Sequence, residues 1–525
     1  MTDATYKLEV DLNRDFDYSD TDENLSSRLI SAKWSNGFAA MFDPVCKDST
    51  AELVLDNRDG RLSPERGGAI SGLVKGKRVQ LGMNYASTDY AMFTGWVDRP
   101  QPVAGQWGPK TTQLLCNSWV SKAARTKGFF VPVQTATRVE SVLEQLIDRS
   151  ACFPPGLNGL IWLLGFSGFT ELDVTTYLSN ASVYMVAETG QATIGMIGQK
   201  WGADTSLLAA CRETVGREFL GRLFLRRDGK LEFWNRDHLF LDSVTDKTYN
   251  DTMHGLSYEY GTALFNRVTM KVESQQVGSA PEVLSIYNDE IEVGIGETKG
   301  VSVQYINQTS GMVISGQNVL APVATTDFRA WTGSGGSGSE VTAKVTTTIS
   351  RSSGRGCEVQ FINTGSAPAF IQAGMQVRGT KILTFEATVT REDADSIQTY
   401  GAYEYTHPSK MESLADAEGG ANFWLGMFKE ARGFAKTLTI EARADSGYMT
   451  DILATLTVGA RVSLQESQTG LNSSYFIINE EHEAQAHPFR HVARYLLEPC
   501  GGYLIWLHDL TGFAELGMAT IIAPF

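Results

Sequence analysis

A pattern that occurs twice, near opposite ends of the chain, limits what this sequence can fold into more than any other feature. Leu73-Val74-Lys75-Gly76-Lys77-Arg78-Val79-Gln80-Leu81 returns as Leu456-Thr457-Val458-Gly459-Ala460-Arg461-Val462-Ser463-Leu464, an LxxGxRVxL motif in which a glycine turn leads into an alternating strand. Each copy follows an alternating stretch (51–55 and 438–442) and precedes an aromatic strand carrying Phe93 or Tyr475 and Phe476. Strand, loop, glycine-turn strand and aromatic strand recurring in one order predict two related β-barrels, one near each end. Two similar hairpins arising by chance are the alternative.

The rest of the chain agrees with a mainly β protein. It carries 51 Gly, 25 Phe, 18 Tyr and 10 Trp among 525 residues, a composition of strands and turns. Ala51, Leu53 and Leu55 mark one strand face, Val79, Leu81, Met83 and Tyr85 another, and Leu231 with Phe233 a third. Arg227-Asp228-Gly229-Lys230 is a two-residue hairpin signal. At 42% hydrophobic and 20% charged, the chain can build several cores, and about 100–200 residues per domain predicts three or four domains.

Helices are few. Thr137-Arg138-Val139-Glu140 reads as a capping box before an apolar stripe of Val139, Val142, Leu143, Leu146 and Ile147. A second helix is expected from about Asp204 and Thr205, burying Leu207, Leu208, Cys211 and Val215, and a third between 409 and 431 despite Gly419 and Gly420. The stretch 285–395 is rich in Val, Thr, Ser and Gly and alternates strongly, which predicts an inserted β-sandwich. The glycine-serine run 332–339 is expected to be a loop inside it. The predicted division is therefore a first barrel over 1–130, a small α/β connector over 131–245 with helices near 137–148 and 204–218, and a second barrel over 246–284 plus 432–500. The inserted sandwich with a helical return segment spans 285–431, and a C-terminal arm 501–525. A second repeat, Leu160-Ile161-Trp162-Leu163 with Gly168-Phe169-Thr170-Glu171-Leu172, matches Leu504-Ile505-Trp506-Leu507 with Gly512-Phe513-Ala514-Glu515-Leu516. It reads as core, with an arm packing on a neighbouring subunit as the alternative.

The chemistry-bearing patterns fall short. His482 and His487 are five apart, whereas a zinc-protease helix needs four, and the segment reads as a polar hairpin loop. Gly294, Gly296 and Gly300 miss the dinucleotide spacing, no phosphate loop is present, and Gly165-Phe166-Ser167-Gly168 is not a nucleophile elbow. No catalytic or cofactor-binding residue is assigned, and the chain is not expected to be an enzyme. Asp11, Asn13, Asp15 and Asp17 alternate, with Asp22 twelfth in the loop, as in a calcium loop. Phe16 stands where that loop needs glycine and Asp22 where it uses glutamate, so a solvated acidic hairpin without metal is the expectation.

The formal charge of −15 and a pI near 5.1 exclude gripping DNA through its phosphates. They permit a surface past which DNA slides. Cys46, Cys116, Cys152, Cys211, Cys357 and Cys500 are scattered and read as free, buried thiols. The acidic opening MTDATYKLEVDLNRDFDYSD does not resemble a secretory signal, which predicts synthesis in a cytoplasm. The longest apolar stretches, 160–166 and 521–525, are well short of the roughly 20 residues that span a bilayer.

Several segments together resemble the tail-tip and baseplate hub proteins of long-tailed bacteriophages, related to the central hub of contractile tails. They are Leu55-Asp56-Asn57-Arg58-Asp59-Gly60-Arg61-Leu62-Ser63-Pro64, Lys75-Gly76-Lys77-Arg78-Val79 and Phe93-Thr94-Gly95-Trp96-Val97-Asp98. Arg227-Asp228-Gly229-Lys230-Leu231, Asn235-Arg236, Phe265-Asn266-Arg267-Val268, Leu320-Ala321-Pro322-Val323, Val377-Arg378-Gly379 and Ser396-Ile397-Gln398-Thr399-Tyr400-Gly401 follow, and the ending Gly512-Phe513-Ala514-Glu515-Leu516-Gly517 closes the series. The likeness lies in their shared order and spans most of the chain. The sequence departs from the family at Phe16 and in carrying the GFxEL segment twice.

The resemblance implies two tail-tube-like β-barrels linked by a small α/β subdomain, with an inserted β-sandwich domain. It implies a homotrimer whose barrels present a pseudo-sixfold ring to a sixfold tube, so that the hub adapts tube to threefold tip, closes the tube and forms the passage for DNA ejection. Implied partners are the tail tube or distal tail protein ring, the tape-measure protein, tail fibres or other tip proteins, and phage DNA passing through the lumen without specific binding. The implied location is the virion tail tip. A receptor- or carbohydrate-binding adhesin, recognising its target around Phe328 and Trp331 of the insert, is the alternative.

Overall fold

The computed structural model of the chain describes residues 4–154 and 184–500, apart from positions 16, 106, 243, 252, 446 and 487. Both copies of the LIWL and GFxEL repeat, the arm at 501–525, Phe16 and His487 lie outside the described residues. The first part of the chain forms β1 (Thr5–Asp11), β2 (Leu29–Gly37), β3 (Thr50–Asp56), β4 (Arg78–Tyr85), β5 (Thr88–Pro102) and β6 (Thr111–Asn117). These lie side by side as β1-β4-β5-β6-β3-β2. Leu8, Val10, Leu53, Leu55, Val79, Leu81 and Met83 are buried, so the period-two apolar pattern turns one sheet face to the core.

The connector follows with α1 (Trp119–Arg125), β7 (Gln134–Arg138), α2 (Val139–Ser150), β8 (Met185–Ala187), β9 (Thr193–Ile197), α3 (Leu207–Gly216), β10 (Arg222–Leu225) and β11 (Leu231–Trp234). The expected stripe of α2 is buried, and with Leu207, Cys211 and Val215 of α3 it builds a core separate from that of the main sheet. The capping box does not form. Arg138 occupies the cap position without a capping bond from its side chain, which donates to the Gly190 carbonyl, and the Glu140 carboxylate accepts the Gly190 N–H at 2.8 Å, tying the helix to a distant loop. The Asp-Gly turn joins β10 to β11 as a hairpin, with Gly229 at φ +84°.

After β12 (Lys247–Tyr249) and β13 (Gly255–Tyr260), the chain leaves the main sheet along β14 (Arg267–Val277). It then forms β15 (Glu282–Tyr287), β16 (Ile291–Val293), β17 (Thr298–Gln304), β18 (Ser315–Leu320), β19 (Ala330–Gly333), β20 (Ser337–Glu340), β21 (Val345–Ser353), β22 (Gly356–Asn363) and β23 (Ala369–Ile371). The return runs through β24 (Met375–Glu392), α4 (Ala394–Tyr400), β25 (Glu404–Met411) and α5 (Leu414–Phe428). β14 and β24 pair from Arg267↔Glu392 to Val277↔Ile382 as a stem. Beyond it the sheets β16-β23-β19-β20 and β17-β22-β21 contribute Val293, Val303, Phe328, Phe361 and Ile371 to one core. The glycine-serine run is the β19–β20 hairpin within this unit. In α5 the apparent helix breaker Gly420 packs where a Cβ would crowd Met270 and Phe219, so close approach offsets its poor propensity.

The chain then completes the main sheet with β26 (Gly433–Glu441), β27 (Arg461–Glu466), β28 (Leu471–Gln485) and β29 (Arg490–Pro499). Their order, β12-β27-β28-β29-β26-β13, repeats that of β1 to β6 strand for strand. Detail repeats too. The Gly76 and Gly459 N–H groups donate at 2.7 Å to Val97 and Ile477 O, and a bulge follows each acceptor, between Val97 and Arg99 and between Ile477 and Asn479. One difference is that β1 meets β4 antiparallel whereas β12 meets β27 parallel.

The expected pair of closed barrels is replaced by one continuous sheet. β2 pairs β28 from Ser31↔Gln485 to Gly37↔Asn479, joining the halves into a twelve-stranded sheet with one core drawn from both. The edge of β2 that would have to meet β1 to close the first half is occupied by β28, so among the described residues neither half closes on itself. No helix of the described residues is long and apolar enough to cross a membrane.

Candidate functional site

The joint between the two halves is built around a buried polar cluster. β28 is long enough to pair with β27 through residues 471–476 and with β2 through 479–485. Here the sequence expectation needs correction, since His482 to Gln485 belong to this strand and only the following residues turn. His482 lies flat on Trp34 of β2, ring centroids 4.7 Å apart and 8° from parallel, and its Nδ1 is 3.1 Å from His491 Nε2. Next to them the Arg227 guanidinium, from the β10–β11 hairpin, grips the Glu480 carboxylate with Nε 2.9 Å from Oε1. Its other nitrogens donate to the carbonyls of Leu453 and Leu456 at 2.9 Å.

These groups are buried, so their charge states follow from their neighbours. Burial pushes Glu480 up, but Arg227 and then His482 outweigh it and hold the carboxyl at about 2. Burial holds His482 below the usual imidazole range despite Glu480, and His491 well below it, with His482 and Arg227 adding to the effect. The cluster is thus one bidentate ion pair beside two neutral imidazoles at pH 7. It fastens connector, first half and second half together. Nothing local in the sequence signals that the arginine of an Arg-Asp-Gly turn would enter a core.

A second cluster fastens the connector to the stem. Glu273 of β14 accepts from Arg217 at 2.9 Å and Lys410 at 2.6 Å and pairs with Lys200. Burial opposes its charge, yet these cations hold its carboxyl at about 2.

The acidic N-terminal loop gathers differently from its spacing. Asp11, Asp15 and Glu23 each offer an oxygen within 4.8 Å of the others. Asn13 bonds Asp15 and Asp20, while Glu23 also accepts the Leu12 N–H at 2.8 Å. Asp17 and Asp22 stand apart: Asp17 accepts from Ser19, and Asp22, at φ +73°, pairs with Arg61. The spacing of alternate acids suggested Asp22, whereas the left-handed turn at that residue turns its carboxylate toward Arg61 and leaves Glu23 inside. In the insert, Phe328 is buried edge-on against Phe361, and Trp331 is half-buried.

No family model and no curated protein matches the chain. Similar solved structures include a tail protein from Neisseria meningitidis, 8% identical with a TM-score of 0.47 over 95% of this chain and 97% of that one. A prophage MuSo2 43 kDa tail protein from Shewanella oneidensis is 7% identical, with a TM-score of 0.43 over 94% of this chain and 100% of that one. A type VI secretion component from E. coli, described as similar to the T4 tail proteins gp27 and gp5, is 6% identical with a TM-score of 0.34 over 90% of this chain and 73% of that one.

Proposed function

We propose that this chain is a structural tail protein of a long-tailed bacteriophage, the hub at the tail tip. The observation that carries the reading is the internal duplication: two six-stranded halves with the same strand order inside one sheet. Three chains then supply six similar halves, which matches a threefold tip to a sixfold tube. The ordered motifs that resemble the hub family support the same reading.

In this role the protein works by assembly, without catalysis. It forms a homotrimer in the virion after synthesis in the host bacterial cytoplasm, seats against the tube or distal ring, closes the tube below the tape-measure protein and opens the passage through which DNA leaves. The net charge of −15 suits a lumen that does not hold phosphates. An adhesin role centred on Phe328 and Trp331 loses one of its two rings, because Phe328 is core while Trp331 is half-buried. Class-averaged negative-stain images of the concentrated protein test the hub reading. Threefold rings with six lobes around an opening are expected, and single multi-lobed particles at every concentration would count against it.

A further inference from the structure

The joint inside the chain has a counterpart that is left open. Registers can be carried from one half to the other through the ladders: Ala32↔Leu53, Leu53↔Leu114 and Leu114↔Pro100 in the first, Leu256↔Leu438, Leu438↔Tyr495 and Tyr495↔Glu480 in the second. Leu256 therefore corresponds to Ala32, and Pro100 and Pro102 to Glu480 and His482; β26 bulges opposite Ser257 and Tyr258, and counting along β13 from Leu256 sets Tyr258 against Trp34 and Tyr260 against Asn36. Gly37 at the end of β2 and Gly261 just past β13 both adopt positive φ. In the internal joint, β2 lies against β28 with Trp34 opposite His482 and Asn36 opposite Glu480. Among the described residues, β13 pairs on one side only, with β26, and β5 beyond Val97 pairs only with β6.

The exposed residues fit an unfilled joint. Trp34 is 3% exposed, whereas its counterpart Tyr258 is 37% and Tyr260 66% exposed. Phe38, just past β2, donates its N–H to Ile478 O at 2.8 Å and is buried there. The corresponding place beside Asp98 is a cleft of about 530 Å³, lined in part by Gly76, Arg78, Trp96, Val97 and Asp98.

We propose that a second copy of this chain fills that place, with Ser257–Tyr260 of one copy pairing antiparallel along residues 100–103 of the next, Tyr258 opposite Pro102 and Tyr260 opposite Pro100. Each chain then offers one open β13 and one open β5 edge, so the contact is head to tail and propagates until a ring closes. The joint between chains is built to be weaker than the joint within one. Val103 donates to Thr111 on the β6 side, so by alternation Pro100 and Pro102 face the open edge. Having no N–H, they accept from Tyr260 and Tyr258 but return nothing. Prolines on that edge also discourage pairing with unrelated strands.

The proposal rests on the ring reading for the number of copies, and on the duplication alone for the contact. The test uses the full chain with Glu259→Cys and Gln101→Cys, counterparts of Ser35 and Glu481, which face each other across the internal joint. Mild oxidation is expected to give a covalent ladder ending at three chains, with the single variants as background. Strand order alone would instead join the sheet's outer strands, β13 to β1, which Glu259→Cys with Lys7→Cys reports. Cross-linking only in that second pair overturns the proposal, as does association in sedimentation without cross-linking in either pair, and both leave the ring standing. Absence of association at any concentration overturns the contact and the ring together. Pro100→Thr with Pro102→Thr should tighten association by about fivefold per donor restored, and unchanged association contradicts the one-sided joint.

Discussion

Arg227 shows how much of this fold hangs on a single side chain. Its guanidinium neutralises Glu480 and satisfies carbonyls at 452–456, all in the interior. Arg227→Met leaves a carboxylate buried without its partner, so a loss of about 3–5 kcal/mol is expected in denaturant unfolding. Adding Glu480→Gln should recover part of that loss, because the uncompensated charge is gone, and a double-mutant cycle measures how much. The two buried imidazoles predict a pH dependence. Their folded values lie below the ordinary one, so the unfolded chain binds protons that the native state refuses. The stability they provide is present above about pH 6.5 and is lost as pH falls toward their folded values, at up to about 1.4 kcal/mol per pH unit for each ring. Glu480 and Glu273, held at about 2, add a second loss from about pH 5 downward. Melting scans between pH 8 and 5 check the first window, and His491→Leu should make it shallower by one ring's share.

At the scale of elements, the LxxGxRVxL motif was readable because it encodes local geometry: a left-handed glycine, then a period-two strand. Gly76 and Gly459 adopt φ +83° and +95°, and both Ala variants are predicted to cost about 1–2 kcal/mol in backbone strain. Their surroundings differ. An added Cβ at Gly76 meets almost open space, while at Gly459 it runs into the Trp234 ring. Gly459→Ala should therefore cost about 1–3 kcal/mol more than Gly76→Ala, which thermal or denaturant unfolding of the two variants compares directly. Helices α2 and α3 were legible for the same reason, since their apolar spacing is local. The capping box expected at Thr137 does not form because Glu140 bonds a loop 50 residues away, and no local pattern carries that. Gly419 and Gly420 weakened α5 on propensity, yet tertiary packing decided in favour of the helix. In the acidic loop, spacing alone could not show that Arg61 takes Asp22 and that Glu23 replaces it.

At the scale of the molecule, the duplication was visible in sequence, but the way its halves meet was not. Two barrels followed naturally from two motif copies. The pairing of Ser31–Gly37 with 479–485 depends on a contact between distant segments, and no periodicity in either strand encodes its partner. That pairing gives one open sheet in place of two barrels, with matching unfilled edges, and the proposed ring rests on it. Sedimentation velocity of the full chain over a wide concentration range tests whether three copies close a ring. A reversible step from the 57.4 kDa chain to a species of three chains is expected, with no stable two-chain species, because two chains cannot supply six halves. A chain that stays single at every concentration, or stops at two copies, would contradict it.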